Sequence, residues 1–467
     1  MYVARFILEL QTPLHCGGGE DVTQDQPVSR DAFGFWRIPG SSVAGILRGW
    51  MRDQTDIRGV ESRLFGKQEG VNCLASLIWC EDARLLDFDE VPVVEKVMGG
   101  QEVAIPQGPY IRDHVRLGLG TEVAEEGGKF DEEIVPPGAR FALELRLDAW
   151  EKAATSEERE VFCRLCAALA SGHIRLGGKR ASGYGRVRSL YAACRHFDLD
   201  TEEGMIAWLN LAPAPRFANG DGREVALPDA APPQWRGEGL SADLELPLTC
   251  DAPLIVGGVN VRDEADIICL MTPCLDYAQK RVEPRYTLPG SSLRGVLRHR
   301  VYRVAEALDM DAAVCVNGLF GHASGAEGAA GKVCVEDVLL TAGTPAHLQH
   351  VAIDRFTGGA LSGALFDECP LWQDGLEVPL RLEVRELTDT EARLLLHALL
   401  DLAEGALPVG NGVNRGNGVL RLRGMEQGWR KALENVRCDA MRQGERLDRH
   451  DASMCRRWLE DIEGDRP

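Results

Sequence analysis

The sequence predicts an α+β chain made of two tandem copies of one unit, each of the ferredoxin-like kind, followed by a helical tail. Three observations carry that prediction. Short motifs recur in the same order, alternating apolar runs recur at matching places, and a Pro/Gly-rich stretch separates the two sets. The run IPGSSVAGILRGW starts at Ile38 and LPGSSLRGVLRHR at Leu288, so Pro39 and Pro289 are offset by 289 − 39 = 250. Leu64-Phe65-Gly66 returns as Leu319-Phe320-Gly321, Phe130-Asp131-Glu132 as Phe366-Asp367-Glu368, and Gly183-Tyr184-Gly185 as Gly416-Asn417-Gly418. One such marker means little; four in one order mean a duplicated domain.

Each copy opens on a strand with apolar residues at alternate positions, Phe6, Leu8 and Leu10 in the first and Leu244, Leu246 and Leu248 in the second. Period two marks a half-buried strand. A glycine turn follows (Gly17-Gly18-Gly19, Gly257-Gly258), then a polar loop, then Pro-Gly-Ser-Ser and an apolar run that reads as a helix. Later strands are expected at Phe141–Leu147 and Val378–Val384. Ser156 and either Thr388 or Thr390 are the expected N-caps of helices ending near Ser171 and Glu404. The expected units are 1–209 and 241–424, with a linker over 210–240 and a helical tail over 425–467.

Composition narrows the function. At 45% hydrophobic and 27% charged the chain is of ordinary globular make-up. No apolar run reaches the ~20 residues of a membrane helix, and no secretory leader is legible, so no membrane partner and a cytoplasmic location are expected. Fourteen cysteines in 467 residues are too few for a disulfide scaffold. Cys163 and Cys166 lack an obvious second pair, so they read as small helix residues and not as zinc ligands. Net charge is 52 − 72 = −20, which argues against a uniformly basic nucleic-acid binder but says nothing of a single groove.

The repeated motifs suggest anion binding. Ser41-Ser42 and Ser291-Ser292 stand where a turn becomes a helix, able to cap free N–H groups or to leave them for a phosphate. Arg48 and Arg52, and likewise Arg294 and Arg298, lie four apart on one helical face behind them. The loops Gly177–Arg186 and Gly410–Gly418 combine glycine with Lys179, Arg180 or Arg415. A hydrolase elbow is excluded because Gly40-Ser41-Ser42-Val43-Ala44-Gly45 places the last glycine one position too far. No Walker loop is present.

The run Leu14-His15-Cys16-Gly17-Gly18-Gly19, Asp25-Gln26-Pro27-Val28-Ser29-Arg30 and Ile38-Pro39-Gly40-Ser41-Ser42 resembles the RAMP superfamily of CRISPR-associated proteins. His350–Gly359 and Leu365–Glu368 do so in the second copy. The resemblance implies two fused backbone subunits of a type III (type III-D-like) effector complex, each an RRM-like palm with a thumb hairpin, at about 95–138 and 345–379. It implies a guide RNA, a complementary single-stranded target RNA and further effector subunits as partners. It also implies cleavage of the target at regular intervals by a metal-dependent reaction, with Mg²⁺ or another divalent ion and one loop Asp per copy. On this reading Asp25 is the catalytic and metal-holding residue of the first copy. RNA would be bound by His15, Gly17, Gly18, Ser41, Ser42, Arg48, Lys179, Arg180, Ser291, Ser292, Arg294, Arg298, Arg355 and Arg415.

For the second copy, Asp276 is the expected counterpart. It precedes Pro289 by 13 residues, as Asp25 precedes Pro39 by 14, and precedes Arg281 by five as Asp25 precedes Arg30. Counting forward from the glycines favours Asp266, and Asp263 is a further candidate. Two other functions stay open: a scaffold that binds guide RNA without cutting, and a guide-processing nuclease with His15 as general base.

Overall fold

A computed structural model describes residues 1–19, 25–54, 58–69, 72–148, 154–229, 239–258, 265–322, 328–428, 431–432, 435–442 and 445–446. The architecture is mixed α and β, as expected. In the first half the chain runs β1 (Tyr2–Leu10), α1 (Gly40–Asp53), the hairpin strands β2 (Ile111–Leu117) and β3 (Ala124–Glu133), β4 (Arg140–Leu147), α2 (Ser156–Ala170) and β5 (Val187–His196). β1 lies between β5 and β4, antiparallel to both, and the short strand 83–85 pairs with the far side of β4. Phe6, Leu8 and Leu10 of β1 and Phe141, Leu143 and Leu145 of β4 are buried against α2 residues Phe162, Leu165 and Leu169. Thr155, one residue before the expected Ser156, caps α2 in a reciprocal capping box with Glu158.

The second half repeats the plan with β6 (Leu240–Cys250), the hairpin β7 (Met271–Asp276) and β8 (Arg281–Leu288), α3 (Gly290–Ala307), the hairpin β9 (Leu348–Ile353) and β10 (Ala360–Cys369), β11 (Leu376–Leu387) and α4 (Asp389–Glu404). Thr388 caps α4, as expected. A second cluster of buried apolar residues, from Leu240 to Ala432, forms its core.

Two boundaries differ from the sequence expectation. The residues after 424 are not helical throughout: the 3-10 turn Met425–Gln427 and helical residues 431–432 give way to a strand. β12 (Leu420–Leu422) pairs with Leu248–Cys250, and β13 (Arg437–Arg442) pairs with Leu240–Glu245 of the same strand. Together they occupy the edge that β5 covers in the first half, because β6 needs a partner along its whole length. Residues 447–467 of the expected tail lie outside the described residues. The expected linker is also partly packed. Arg5 donates to the carbonyls of Ala212 (2.8 Å) and Arg216 (3.2 Å), and the strand Arg223–Val225 pairs with β5.

The halves are clasped at several places, three of which bear on the site. The β7–β8 hairpin enters the first half, where the Leu275 amide donates to the Pro137 carbonyl (2.8 Å) and the Tyr277 hydroxyl to the Leu86 carbonyl (2.7 Å). Leu275 and Tyr277 are part of the first half's core. Arg112 of β2 donates to Asp337 (2.7 Å), Thr272 (2.8 Å) and Tyr184 (3.0 Å), with Arg112 and Asp337 both 2% exposed. At the far end of the β2–β3 hairpin, Gly120 abuts Tyr302 of α3 and Glu122 pairs with Arg303 (2.6 Å).

Candidate functional site

The repeated Pro-Gly-Ser-Ser opens a helix in each half. Pro39 and Pro289 hold the N-cap positions, and no side-chain hydroxyl caps either helix. The first helical N–H groups are taken instead by carboxylates: Gly40 donates to Asp82 (2.8 Å) and Gly290 to Asp337 (2.8 Å). Glycine is required there because a Cβ would strike the carbonyl of Cys80 or of Val335. An internal carboxylate thus takes the first of the helix-start donors beside Ser41 and Ser42, and beside Ser291 and Ser292, that were expected to face a phosphate. The arginines behind them are committed too. Arg48 and Arg52 share Glu61 (2.7 and 2.8 Å), and Arg294 donates to the Phe320 and Val333 carbonyls. Arg298 lies on the same helix, α3, as Tyr302 and Arg303 of the inter-half clasp.

The residues that do converge lie at the foot of the β2–β3 hairpin, where three consecutive carboxylates end β3. Successive strand side chains face opposite ways, so each carboxylate meets different neighbours. Glu133 accepts from the Val28 amide (3.0 Å) and pairs with Arg30, while its own carbonyl meets His15 Nδ1 (2.9 Å). This pins the loop entering from the glycine turn. Gly18 is needed in that turn because a Cβ would lie 2.6 Å from the Val28 carbonyl oxygen. Glu132 is fully buried and accepts from the Tyr184 hydroxyl (2.6 Å), meets His114 Nε2 (2.7 Å) and forms an ion pair with Lys179. Phe130 stacks on His114 at 5.1 Å, and Lys179 Nζ lies over the Phe130 ring. A buried carboxylate so surrounded is compensated in full, and losing one partner costs several kcal/mol.

Asp131 meets Asp25. The Asp25 amide donates to Asp131 Oδ1 (3.1 Å) and the Asp131 amide to Asp25 Oδ2 (3.1 Å). Asp25 is exposed on the loop, and Asp131 is half-buried on the strand.

The second half rebuilds this site at the foot of β9–β10. The Asp266 amide donates to Asp367 Oδ1 (2.8 Å) and the Asp367 amide to Asp266 Oδ2 (3.0 Å). Buried Glu368 takes Arg415 (2.6 Å), His350 (3.0 Å) and Asn417 (3.4 Å), and Phe366 stacks on His350. Asp266 is thus the structural counterpart of Asp25, and the expectation of Asp276 is corrected. Asp276 ends β7, and its Oδ1 accepts from the Ala278 and Gln279 amides (2.8 and 3.0 Å) as a hairpin-turn former. Asp263 lies outside the described residues.

The two sites differ around the shared pair. The Ile255 carbonyl takes the place of the His15 carbonyl, receiving the Asn411 amide (2.7 Å) as His15 receives that of Gly178 (2.8 Å). Asp367 gains a contact from His347 Nε2 (2.8 Å), where the first half has Ile111 by the 367 − 131 = 236 offset. Burial, then the nearby Lys179 and Arg112 charges, lower the His114 pKa to about 4. Burial likewise lowers that of His15, which is 8% exposed. Of the expected RNA-binding cations, Lys179 and Arg415 join the two sites through buried glutamates. Arg180 is exposed on the glycine loop, and Arg355 is exposed on the β9–β10 hairpin beside Phe356. His114, Asp131 and Glu132 were not singled out as site residues by sequence reasoning. Their signal was present in the recurrence of Phe-Asp-Glu and of a His eighteen residues before each Glu (132 − 114 and 368 − 350).

A fold of two similar α+β halves, each with a carboxylate pair at the foot of a hairpin, defines the class of protein. The family follows from comparison: the RAMP superfamily model matches residues 7–188 and 275–421, and the chain belongs to that superfamily. Among solved structures, the chain is similar to one chain of the type III-B Cmr-beta structure bound to cognate target RNA. That likeness has 17% identity and TM-score 0.31, covering 40% of this chain and 96% of the other. The apo state of Cmr-beta gives 18% identity and TM-score 0.30, covering 40% and 97%. A search of curated proteins found no match. No helix among the described residues is long and apolar enough to cross a membrane.

Proposed function

We propose that this chain is a double backbone subunit of a type III CRISPR effector complex. It would bind guide RNA, pair with further effector subunits and cleave complementary target RNA at two positions, using Asp25 in one half and Asp266 in the other. On this reading each sheet is a ferredoxin-like palm, with β2–β3 and β9–β10 as thumbs. The observation that carries the proposal is the carboxylate pair built twice at the foot of a hairpin. RAMP membership and the motif run from Leu14 to Ser42 support it.

RNA brings its own nucleophile. The 2′-oxygen attacks the adjacent phosphorus in line, the P–O5′ bond breaks, and a 2′,3′-cyclic phosphate and a 5′-hydroxyl result. The 2′-hydroxyl loses its proton and the leaving 5′-oxygen gains one. An exposed carboxylate with one oxygen fixed by an amide is suited to accept that proton. The same oxygen is a hard donor of the kind Mg²⁺ takes. Among the described residues no group of three or more His, Cys, Asp or Glu side chains is set to hold a metal. Asp25 and Asp266 fit an ion that draws its other ligands from RNA and water, as Mg²⁺ commonly does. Such an ion would supply Lewis-acid stabilisation of charge on the phosphoryl oxygens.

The test begins with the RNA that co-purifies with the assembly from its host. Short RNAs with one common end and varied remainders are expected. An end-labelled RNA complementary to that guide should then be cut at two positions. Asp25→Asn should remove one cut, Asp266→Asn the other, and Asp276→Asn neither. Retention of both cuts in the Asp25→Asn/Asp266→Asn double variant would leave a non-cutting scaffold as the reading.

A further inference from the structure

We infer that Asp131 and Asp367 are positioning residues for the two reacting carboxylates, an assignment that rests on the cleavage reading above. Each sits on a strand and clamps the loop bearing Asp25 or Asp266. The clamp has two arms. The strand carboxylate accepts the loop aspartate's own N–H, which fixes the loop backbone, and the strand N–H binds Oδ2 of the loop aspartate, which fixes its side-chain torsion. Among the described residues, the amide of the strand aspartate is the hydrogen-bond donor to each loop carboxylate.

Each strand aspartate sits in a firmly held stretch of strand. Asp131 is followed directly by Glu132, pinned by three side chains, and by Glu133, pinned by Val28, Arg30 and His15. Asp367 precedes Glu368, itself held by His350, Arg415 and Asn417. The loop partners are exposed, and the chain beside each is tied to the same strand: Gln26 accepts from the Glu133 amide (2.9 Å), and Ile267–Cys269 pairs with β10.

The chain contains its own comparison. Asp25 follows Gly18 by seven residues and Asp266 follows Gly258 by eight, so the loops differ in length. The neighbours differ as well: Glu133 against Cys369, Tyr184 against Asn417, Lys179 against Arg415, and an added His347 in the second half. The four-atom exchange between the two aspartates is the same in both. A turn-forming aspartate bonds its own segment, as Asp276 does; these bond across about a hundred residues. Misplacing a reacting group by ~1 Å can cost ~100-fold in rate, so a clamp of this kind acts on turnover without touching substrate.

The experiment uses the full assembly with its guide and an end-labelled complementary RNA, reading both cut positions in one reaction. Asp131→Ala removes the acceptor for the Asp25 N–H, while Asp131→Asn keeps an oxygen there. Expected are a 10–100-fold slower single-turnover rate at the first position for Asp131→Ala, with RNA affinity unchanged within twofold, and return to within about fivefold of wild type for Asp131→Asn. The second position, cut at the normal rate in the same molecules, reports that the assembly is intact. Asp367→Ala should show the mirror pattern, although His347 also touches Asp367, so the first half is the cleaner test. Equal damage from Asn and Ala would overturn the inference by showing that the charge of Asp131 is itself needed. A neutral Asp131→Ala would overturn it as well. Failure of the cleavage reading looks different: no cut at all in wild type, or a first cut that survives Asp25→Asn.

Discussion

Replacing Arg112 by Met tests how the two halves are joined. The guanidinium is buried and donates to Asp337 (2.7 Å), Thr272 (2.8 Å) and Tyr184 (3.0 Å). Methionine keeps much of the stem volume but no donor. Asp337 would then be a 2% exposed carboxylate with the Gly290 amide as its remaining described hydrogen-bond donor. Stranding a buried charge in this way costs about 3–5 kcal/mol. Asp337→Asn on its own keeps an acceptor for Gly290 but leaves the arginine without its counter-charge. The double variant Arg112→Met/Asp337→Asn contains neither stranded charge, so its loss should fall short of the sum of the singles by at least ~1.5 kcal/mol. Urea unfolding of the four proteins, followed by circular dichroism, measures this. A loss below ~1 kcal/mol for Arg112→Met, or additivity within ~0.5 kcal/mol, would refute a buried, coupled pair.

Four other outcomes follow from single features. Gly183→Ala should cost roughly 2–5 kcal/mol, since φ is +82° and a Cβ would lie 2.5 Å from the Val335 carbonyl across the junction of the halves; Gly220→Ala, at φ +95° with open space around it, should cost only ~1–2 kcal/mol in the same urea assay. His114 titrates near 4 when folded and near 6.5 when unfolded. Between those values the unfolded chain binds the extra proton, so stability should fall as pH drops from 6.5 towards 4, by on the order of 1 kcal/mol per unit, and His114→Asn should flatten that slope. Ser41→Ala and Ser291→Ala should each change stability by less than ~0.5 kcal/mol. Asp82→Ala, which removes the group capping α1, should cost ~1 kcal/mol in thermal or urea unfolding.

What could be read from the sequence was what depends on local pattern. Alternation located β1, β4, β6 and β11, and the threonine at 388 announced α4 because capping chemistry is local. The recurrence of Pro-Gly-Ser-Ser was visible, but its reason was not. Serine beside a helix start has an obvious local use, whereas the actual cap comes from Asp82, 42 residues away. Asp266 was obscured by an insertion. The β7–β8 hairpin lies between Asp266 and Pro289, so counting backwards from Pro289 lands on the hairpin's own turn at Asp276. The final strand of the second half escaped notice because it is split into β12 and β13 by an intervening segment. The site's aspartate partners are set by long-range pairing, which one sequence does not display.

The β7–β8 hairpin also bears on how the chain is made. Leu275 and Tyr277 complete a core whose other members lie mostly before residue 195, with Tyr277 resting on Phe88 and under Arg140. From His196 to Leu288 the ribosome must add 288 − 196 = 92 residues, roughly 5–18 s at ordinary synthesis rates. For that interval the first half carries an uncovered apolar seat on the nascent chain. The wait ends when a segment of its own twin arrives to fill it, so the order of synthesis favours pairing within one chain over capture by a neighbour.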